Sequence, residues 1–162
     1  MNLPTTGQIL HQWDEWSLKV LYPFSDMPED FHENDYSIVI GLFRNQNLQF
    51  LWSGDLEKEG ESLLLSQGVL HGSTKIWKAG HHGSNTSGSQ PFLDTIAPEL
   101  IIISCGVGNS YHHPSHGLYV VENDTIPIVR TDLEGSVYLR FKKDGAISWK
   151  SSRRGGLLPA TP

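Results

Sequence analysis

The residues best suited to chemistry fall in three short clusters. His81-His82-Gly83-Ser84 closes the apolar run from Thr74 to Ala79 and opens a loop of small residues, Asn85-Thr86-Ser87-Gly88-Ser89. Ser53-Gly54-Asp55 lies upstream, and Asn109-Ser110-Tyr111-His112-His113-Pro114 lies downstream. Each follows a run that reads as a buried strand. A carboxylate at a strand end can bridge metal ions or orient a water. Neutral imidazole is the commonest protein metal ligand, and a carboxylate with separate histidines suits zinc or manganese better than calcium. His81 and His82 are adjacent on extended or turning chain, so their side chains point in different directions. One can face a ligand while the other packs behind it, and spacing does not say which. Gly83-Ser84 suits a loop built to approach a ligand closely. Gly54 lets the backbone turn sharply and leave the Asp55 carboxylate at the sheet edge.

Each cluster has a plainer reading. Asp55 can cap the helix that follows it, and Asn109 to His113 can be an ordinary polar loop. Three such placements at strand ends are harder to explain as solvated loops than any one of them. Cys105, the single cysteine, ends an apolar strand and reads as a small buried residue rather than a nucleophile. His11, His32, His71 and His116 have no company in sequence. Thr131-Asp132 ends a strand, where a turn role fits as well as a site role. Arg153 and Arg154 can touch phosphate but read as solvated.

The elements that position these clusters follow from periodicity. Met1 to Gln12 reads as an irregular lead or short edge element, with Trp13 and Trp16 covering something. Ser17 to Tyr22 alternates as a strand and Pro23 stops it. Tyr36 to Phe43 and Leu48 to Trp52 flank the turn Arg44-Asn45-Gln46-Asn47, which predicts an antiparallel hairpin. After Asp55, Leu56, Leu63 and Leu64 share one helical face, and Gly68 ends the run. Thr74 to Ala79 returns to strand. A second helix is expected from Gln90 to Ala97, with Ser89 as cap and Pro98 as stop. Leu100 to Cys105 has no alternation, the pattern of a strand covered on both faces. Pro114 to Glu122 reads as a weaker helix. Ile126 to Arg130, Ser136 to Lys142 and Ala146 to Lys150 read as strands, the last two forming a hairpin across Lys143-Asp144-Gly145. Strands alternating with helices predict a mixed α/β fold, and polar clusters at C-terminal strand ends stand where open α/β sheets hold ligands.

At 162 residues the chain suits one domain. We read residues 1–150 as that domain and 151–162, rich in Ser, Arg, Gly and Pro, as a flexible tail. A formal charge of −6 offers no bulk electrostatic grip on nucleic acid. Phosphate binding would need local help, and a metal ion is the strongest local positive charge. One cysteine excludes an internal disulfide. No apolar run approaches a membrane span, and the N-terminus has no signal-peptide pattern, so the segment reads as soluble.

Taken together with Lys78-Ala79-Gly80 and Thr131-Asp132-Leu133-Glu134-Gly135, the three clusters resemble the metallo-β-lactamase-like domain of ComEC-type DNA internalisation (competence) proteins in order and approximate spacing. The resemblance runs from Val20 to Trp149. It implies an αββα sandwich carrying two divalent metal ions, zinc or manganese, in a hydrolase that cuts the non-transforming DNA strand on the extracytoplasmic side of the membrane. By position, Asp55 resembles the bridging metal carboxylate and His113 the late histidine ligand. His81 and His82 resemble the catalytic groups that bind phosphate or protonate the leaving oxygen, with Ser84, Asn109 and Tyr111 on the substrate side. Implied partners are single-stranded DNA or another phosphodiester, the N-terminal half of the domain, and a membrane channel region. The family often has Gly where this chain has His112. The larger departure is that the early His-x-His-x-Asp-His type motif is absent, so the sequence resembles only the C-terminal half of the sandwich. The alternatives are a non-catalytic half-domain or remnant that binds a partner, and a phosphodiesterase acting on a phosphocholine ester.

Overall fold

The computed structural model describes residues 4–115 and 126–158. Seven strands form one sheet in sequence order: β1 (Ile9–Trp13), β2 (Trp16–Tyr22), β3 (Val39–Arg44), β4 (Asn47–Trp52), β5 (Ile76–Lys78), β6 (Leu100–Ile103) and β7 (Ile128–Arg130). The first four pair antiparallel. From β4 onward the pairing is parallel. The switch comes where hairpins give way to crossovers. Asn45 and Gln46 turn the β3–β4 hairpin with φ of 47° and 70°, the left-handed geometry that matches strand twist. Parallel strands need longer connections, and α1 (Lys58–Ser66) and α2 (Gln90–Ile96) supply them before β5 and β6.

Side-chain alternation divides the core in two. Leu21, Leu51, Trp77, Ile101 and Ile103 face the helix layer, packing with Leu64, Phe92, Leu93 and Ile96. Leu42, Phe50, Ile76, Leu100 and Ile102 face the other way, against Ile147, Leu139, Phe141 and Trp149. Leu139, Phe141, Ile147 and Trp149 belong to a three-stranded antiparallel sheet, β8 (Val137–Phe141), β9 (Ile147–Ser151) and β10 (Gly155–Leu158), in the order β10-β9-β8. A single helical turn, α3 (Thr131–Glu134), joins it to β7. The described residues thus form a mixed α/β structure in three layers: helices, the large sheet and the small sheet. The fold-class expectation is met as far as a mixed α/β, sheet-dominated structure.

Several local expectations change. Within the stretch read as a fraying tail, Ser151 closes β9 and Gly155 to Leu158 form β10, because the open edge of β9 supplies their partners. Arg154 is exposed, as expected, but anchored, with its guanidinium on both Glu134 oxygens and on the Ile128 carbonyl. Trp16 is buried as expected, but Trp13 on the edge strand is 41% exposed. Tyr36 sits in a 3-10 turn (Glu33–Tyr36) instead of opening β3. The expected helix from Pro114 to Glu122 lies largely outside the described residues, as do His116 and residues 159–162.

Ser89 occupies the N-cap position of α2 but its hydroxyl makes no capping bond. The Glu61 carboxylate, fully buried on α1, does this instead, accepting the amides of Gly88 at 2.6 Å and Ser89 at 2.8 Å. Burial pushes this carboxyl above its ordinary range, against the pull of those amides. A raised folded-state value stabilises the protein at low pH, and the contribution is lost as pH rises through it. Glu61→Gln should therefore flatten that part of the pH dependence, read as the difference between wild-type and variant urea midpoints across the acidic range.

Candidate functional site

The parallel strands β4 to β7 end at one edge of the large sheet, and the polar clusters gather there. Backbone bonds join their loops. The His81 amide donates to the Gly54 carbonyl at 3.1 Å, and the Ser115 amide donates to the Gly83 carbonyl at 2.9 Å. The Thr131 hydroxyl donates to the Cys105 carbonyl at 2.7 Å, and the Cys105 amide donates back to it at 2.9 Å. The ends of β4, β5, β6 and β7 are thus connected in series.

Asp55 is held by its backbone: its amide donates to the Ser37 hydroxyl at 3.0 Å. Gly54 precedes it with φ 57°, and a Cβ there would come within 3.0 Å of Ser37. The Asp55 carboxylate is 43% exposed. It is not the helix cap. Asp35, from the loop before β3, caps α1 with one oxygen that accepts the amides of Glu57 and Gly60 at 3.2 and 2.9 Å. The side chain of Asp55 is left to the site.

The two histidines of the pair turn to different partners, His81 half-buried and His82 exposed. They lie in the turn Gly80–Gly83 with φ of 44° and 55°, left-handed positions that cost about 1–3 kcal/mol each and that cluster at functional sites. His82 Nδ1 donates to the Ser104 carbonyl at 2.7 Å, which fixes its proton on that nitrogen, and Nε2 stands 3.6 Å from Asp55 Oδ1. His81 Nδ1 is 3.0 Å from Glu57 Oε1 and 3.3 Å from the Thr86 hydroxyl. Its ring meets that of His113 edge-on, at 5.6 Å between centroids.

His113 completes the group. Burial first, then the neighbouring His81 and His82, hold its imidazole below the ordinary range, while Asp55 opposes them. The ring therefore favours its neutral form, the one with a free lone pair. Asn109 braces this loop. It accepts the His113 amide at 2.9 Å and donates to the carbonyls of His113 and Gly106 at 2.7 and 2.9 Å. Its expected substrate-side amide is thereby committed to backbone. Tyr111 stacks on His113 and is 78% exposed, at the mouth of the site. Ser84 is buried, its hydroxyl bound to Thr86 within its own loop. His112 is exposed, with φ 57°.

Sequence reading passed over Glu57 and Lys78 as site residues. Burial alone would raise the Glu57 carboxyl, but donors from Asn34 and Thr86 and the nearby His32 and His81 outweigh it and hold the group below its ordinary range. It is a fixed anion behind His81. Lys78, mostly buried, reaches toward the Gly54 carbonyl at 3.5 Å; burial lowers its ammonium value while Asp55 raises it. The first residue looks like an ordinary helix-face acid, and the second like the polar end of a strand. Burial and Asp132 push the Cys105 thiol above its ordinary range, and Arg130 holds Asp132 in a two-pronged pair at 3.1 and 2.7 Å.

Asp55 and His113 have the donor chemistry of metal ligands. Among the described residues, however, no three His, Cys, Asp or Glu side chains converge to hold a metal ion. By themselves the described residues do not supply the donors of a dinuclear centre. No helix among them is long and apolar enough to cross a membrane.

No family model matches the chain. It is 32% identical over 137 residues to ComE operon protein 3 of Bacillus subtilis (strain 168), a match covering 84% of this chain and 17% of that protein. To competence protein ComA of Neisseria gonorrhoeae it is also 32% identical over 137 residues, covering 83% of this chain and 19% of the relative. Recombination protein 2 of Haemophilus influenzae matches at 27% over 141 residues, 86% of this chain and 17% of that protein. The chain spans less than a fifth of the length of these curated relatives.

Proposed function

We propose, on this similarity and on the strand-end geometry, that the chain is part of a competence protein acting in DNA uptake at the cell envelope, where it supplies one side of a phosphodiester hydrolase site. The observation that carries the reading is the joining of Asp55, His82 and His113 at one sheet edge, through loops tied by backbone hydrogen bonds. The ligand is a phosphodiester, with single-stranded DNA as the substrate. His81, oriented by Glu57, and His82, oriented by Ser104, are the groups that bind the phosphate or give a proton to the leaving oxygen. Asp55 and His113 contribute metal donors, and the rest of the donor set comes from elsewhere in a longer protein.

A second reading takes the chain as a half-domain that binds a partner without catalysis. The lack of three converging donors among the described residues favours it. One measurement separates the readings, and a second tests what they share. The natural full-length protein that carries this sequence, given Mn2+ or Zn2+, should cleave a labelled single strand and lose that activity on chelation. The 162-residue chain alone should show no tight stoichiometric zinc binding by calorimetry. Absence of metal-dependent cleavage by the full-length protein would leave the binding reading.

A further inference from the structure

Charge is unevenly placed along this chain. Its net charge is −6, yet residues 136–158 hold six of the 12 Lys and Arg and one of the 18 Asp and Glu. The small sheet is a cationic layer on an acidic body. Its inner face buries Val137, Leu139, Phe141, Ile147 and Trp149 against the large sheet. Alternation then places Tyr138 and Arg140 of β8, with Ser148 and Lys150 of β9, on the outer face. The register sets Tyr138 directly opposite Lys150 and Arg140 opposite Ser148, and the four line a shallow depression. Tyr138 is 76% exposed. Among the described residues no carboxylate pairs with Arg140, Lys142, Lys143, Lys150 or Arg153, whereas Arg154 is held by Glu134.

We propose that the outer face of the small sheet binds single-stranded nucleic acid, with Arg140 and Lys150 on backbone phosphates and Tyr138 stacked on a base. A cationic surface carrying an exposed ring combines the two elements that sequence-tolerant strand binding uses. A duplex would present phosphates but no open base face, leaving the ring without a role. An anionic bilayer would call for a broader apolar edge beside the cations than Leu157 offers. The face shares no residue with the strand-end site. It rests on the proposed function only for the choice of DNA over RNA; the polyanion binding stands on charge, register and exposure.

The test is fluorescence anisotropy with labelled oligothymidine and the whole 162-residue chain. Wild type should bind saturably at low salt. Arg140→Glu combined with Lys150→Glu should weaken binding about 10- to 100-fold and flatten the salt dependence by about two phosphate contacts. Tyr138→Ala should weaken it about 5- to 100-fold and leave the salt slope unchanged. All three positions are solvent-facing, and unchanged thermal melts of the variants confirm that the fold is intact. Hydrolysis of a small chromogenic phosphodiester by the full-length protein reads the strand-end site alone and should be the same in these variants. Its absence in wild type would count against the proposed function, and intact oligothymidine binding would still support this face. Wild-type affinity in all the face variants, no saturable binding, or binding to phosphatidylserine vesicles but not to oligothymidine would overturn the inference.

Discussion

Asp55→Asn should lower phosphodiester hydrolysis by the full-length protein at least about 100-fold, the scale on which single acid–base or charge-stabilising groups act, and leave the melting temperature nearly unchanged. The dissociation of the two effects follows from how Asp55 is held. Its position is set by the amide bond to Ser37 and the tight turn at Gly54, neither of which uses the carboxylate. The α1 amides that a capping role would need are satisfied by Asp35. The side chain faces His82 Nε2 and lies close enough to Lys78 and His113 to act on both electrostatically. Asparagine keeps the shape and removes the charge. Asp35→Ala is the mirror experiment: it removes the oxygen that accepts the Glu57 and Gly60 amides and should destabilise the helix start by about 1 kcal/mol, as lost caps do, in a chain with an intact strand-end carboxylate. Wild-type hydrolysis in Asp55→Asn with a lowered melting temperature would place Asp55 among the structural residues.

What the sequence made legible was local. The β3–β4 hairpin declares itself by its turn residues, and Leu100 to Ile103 by four apolar side chains in a row, which the structure buries on both faces. The strand-end clusters could be found because each follows its strand within a few residues. The missing parts depend on partners far along the chain. Asp35 caps a helix more than twenty residues away, and Glu61 caps one from the preceding helix; both look like solvated acids until the layers are assembled. The inward turn of the Ser84 hydroxyl follows from the left-handed path of the three residues before it, a conformation that His81 and His82 do not advertise. β10 escaped because its glycines have low strand propensity, and only the open edge of β9 makes a strand of them.

These long-range contacts share a physical logic. The site is assembled from loops, and loops hold position only when their backbone groups are satisfied. Ser37, Asp35, Asn109 and Thr131 all serve that need with side chains bonded to main chain. The imidazoles are placed by rigid neighbours, and weakening the backbone scaffold should therefore disturb the site even where no ionisable group is touched.

Gly83→Ala is the sharpest case and should cost about 2–4 kcal/mol of stability, from a left-handed backbone penalty and overpacking together. Gly83 has φ 83°, and a Cβ there would stand 2.9 Å from Pro114 Cβ and 3.0 Å from Ile103 Cγ2. Ile103 is fully buried in β6 and cannot withdraw. Relief must come from Pro114, whose neighbours His113 and Ser115 carry the site imidazole and the amide bonded to the Gly83 carbonyl. The melting temperature should fall by about 5–15 °C, and the His113 ring resonances should shift in NMR spectra of the folded variant. Gly68→Ala supplies the comparison: φ is 61° there, but a Cβ would meet nothing within 4 Å. It should cost about 1 kcal/mol and leave the His113 resonances in place. Equal losses in the two variants would mean that the contact between the His81-His82 turn and the His113 loop is not tight, and that the two loops take their positions independently.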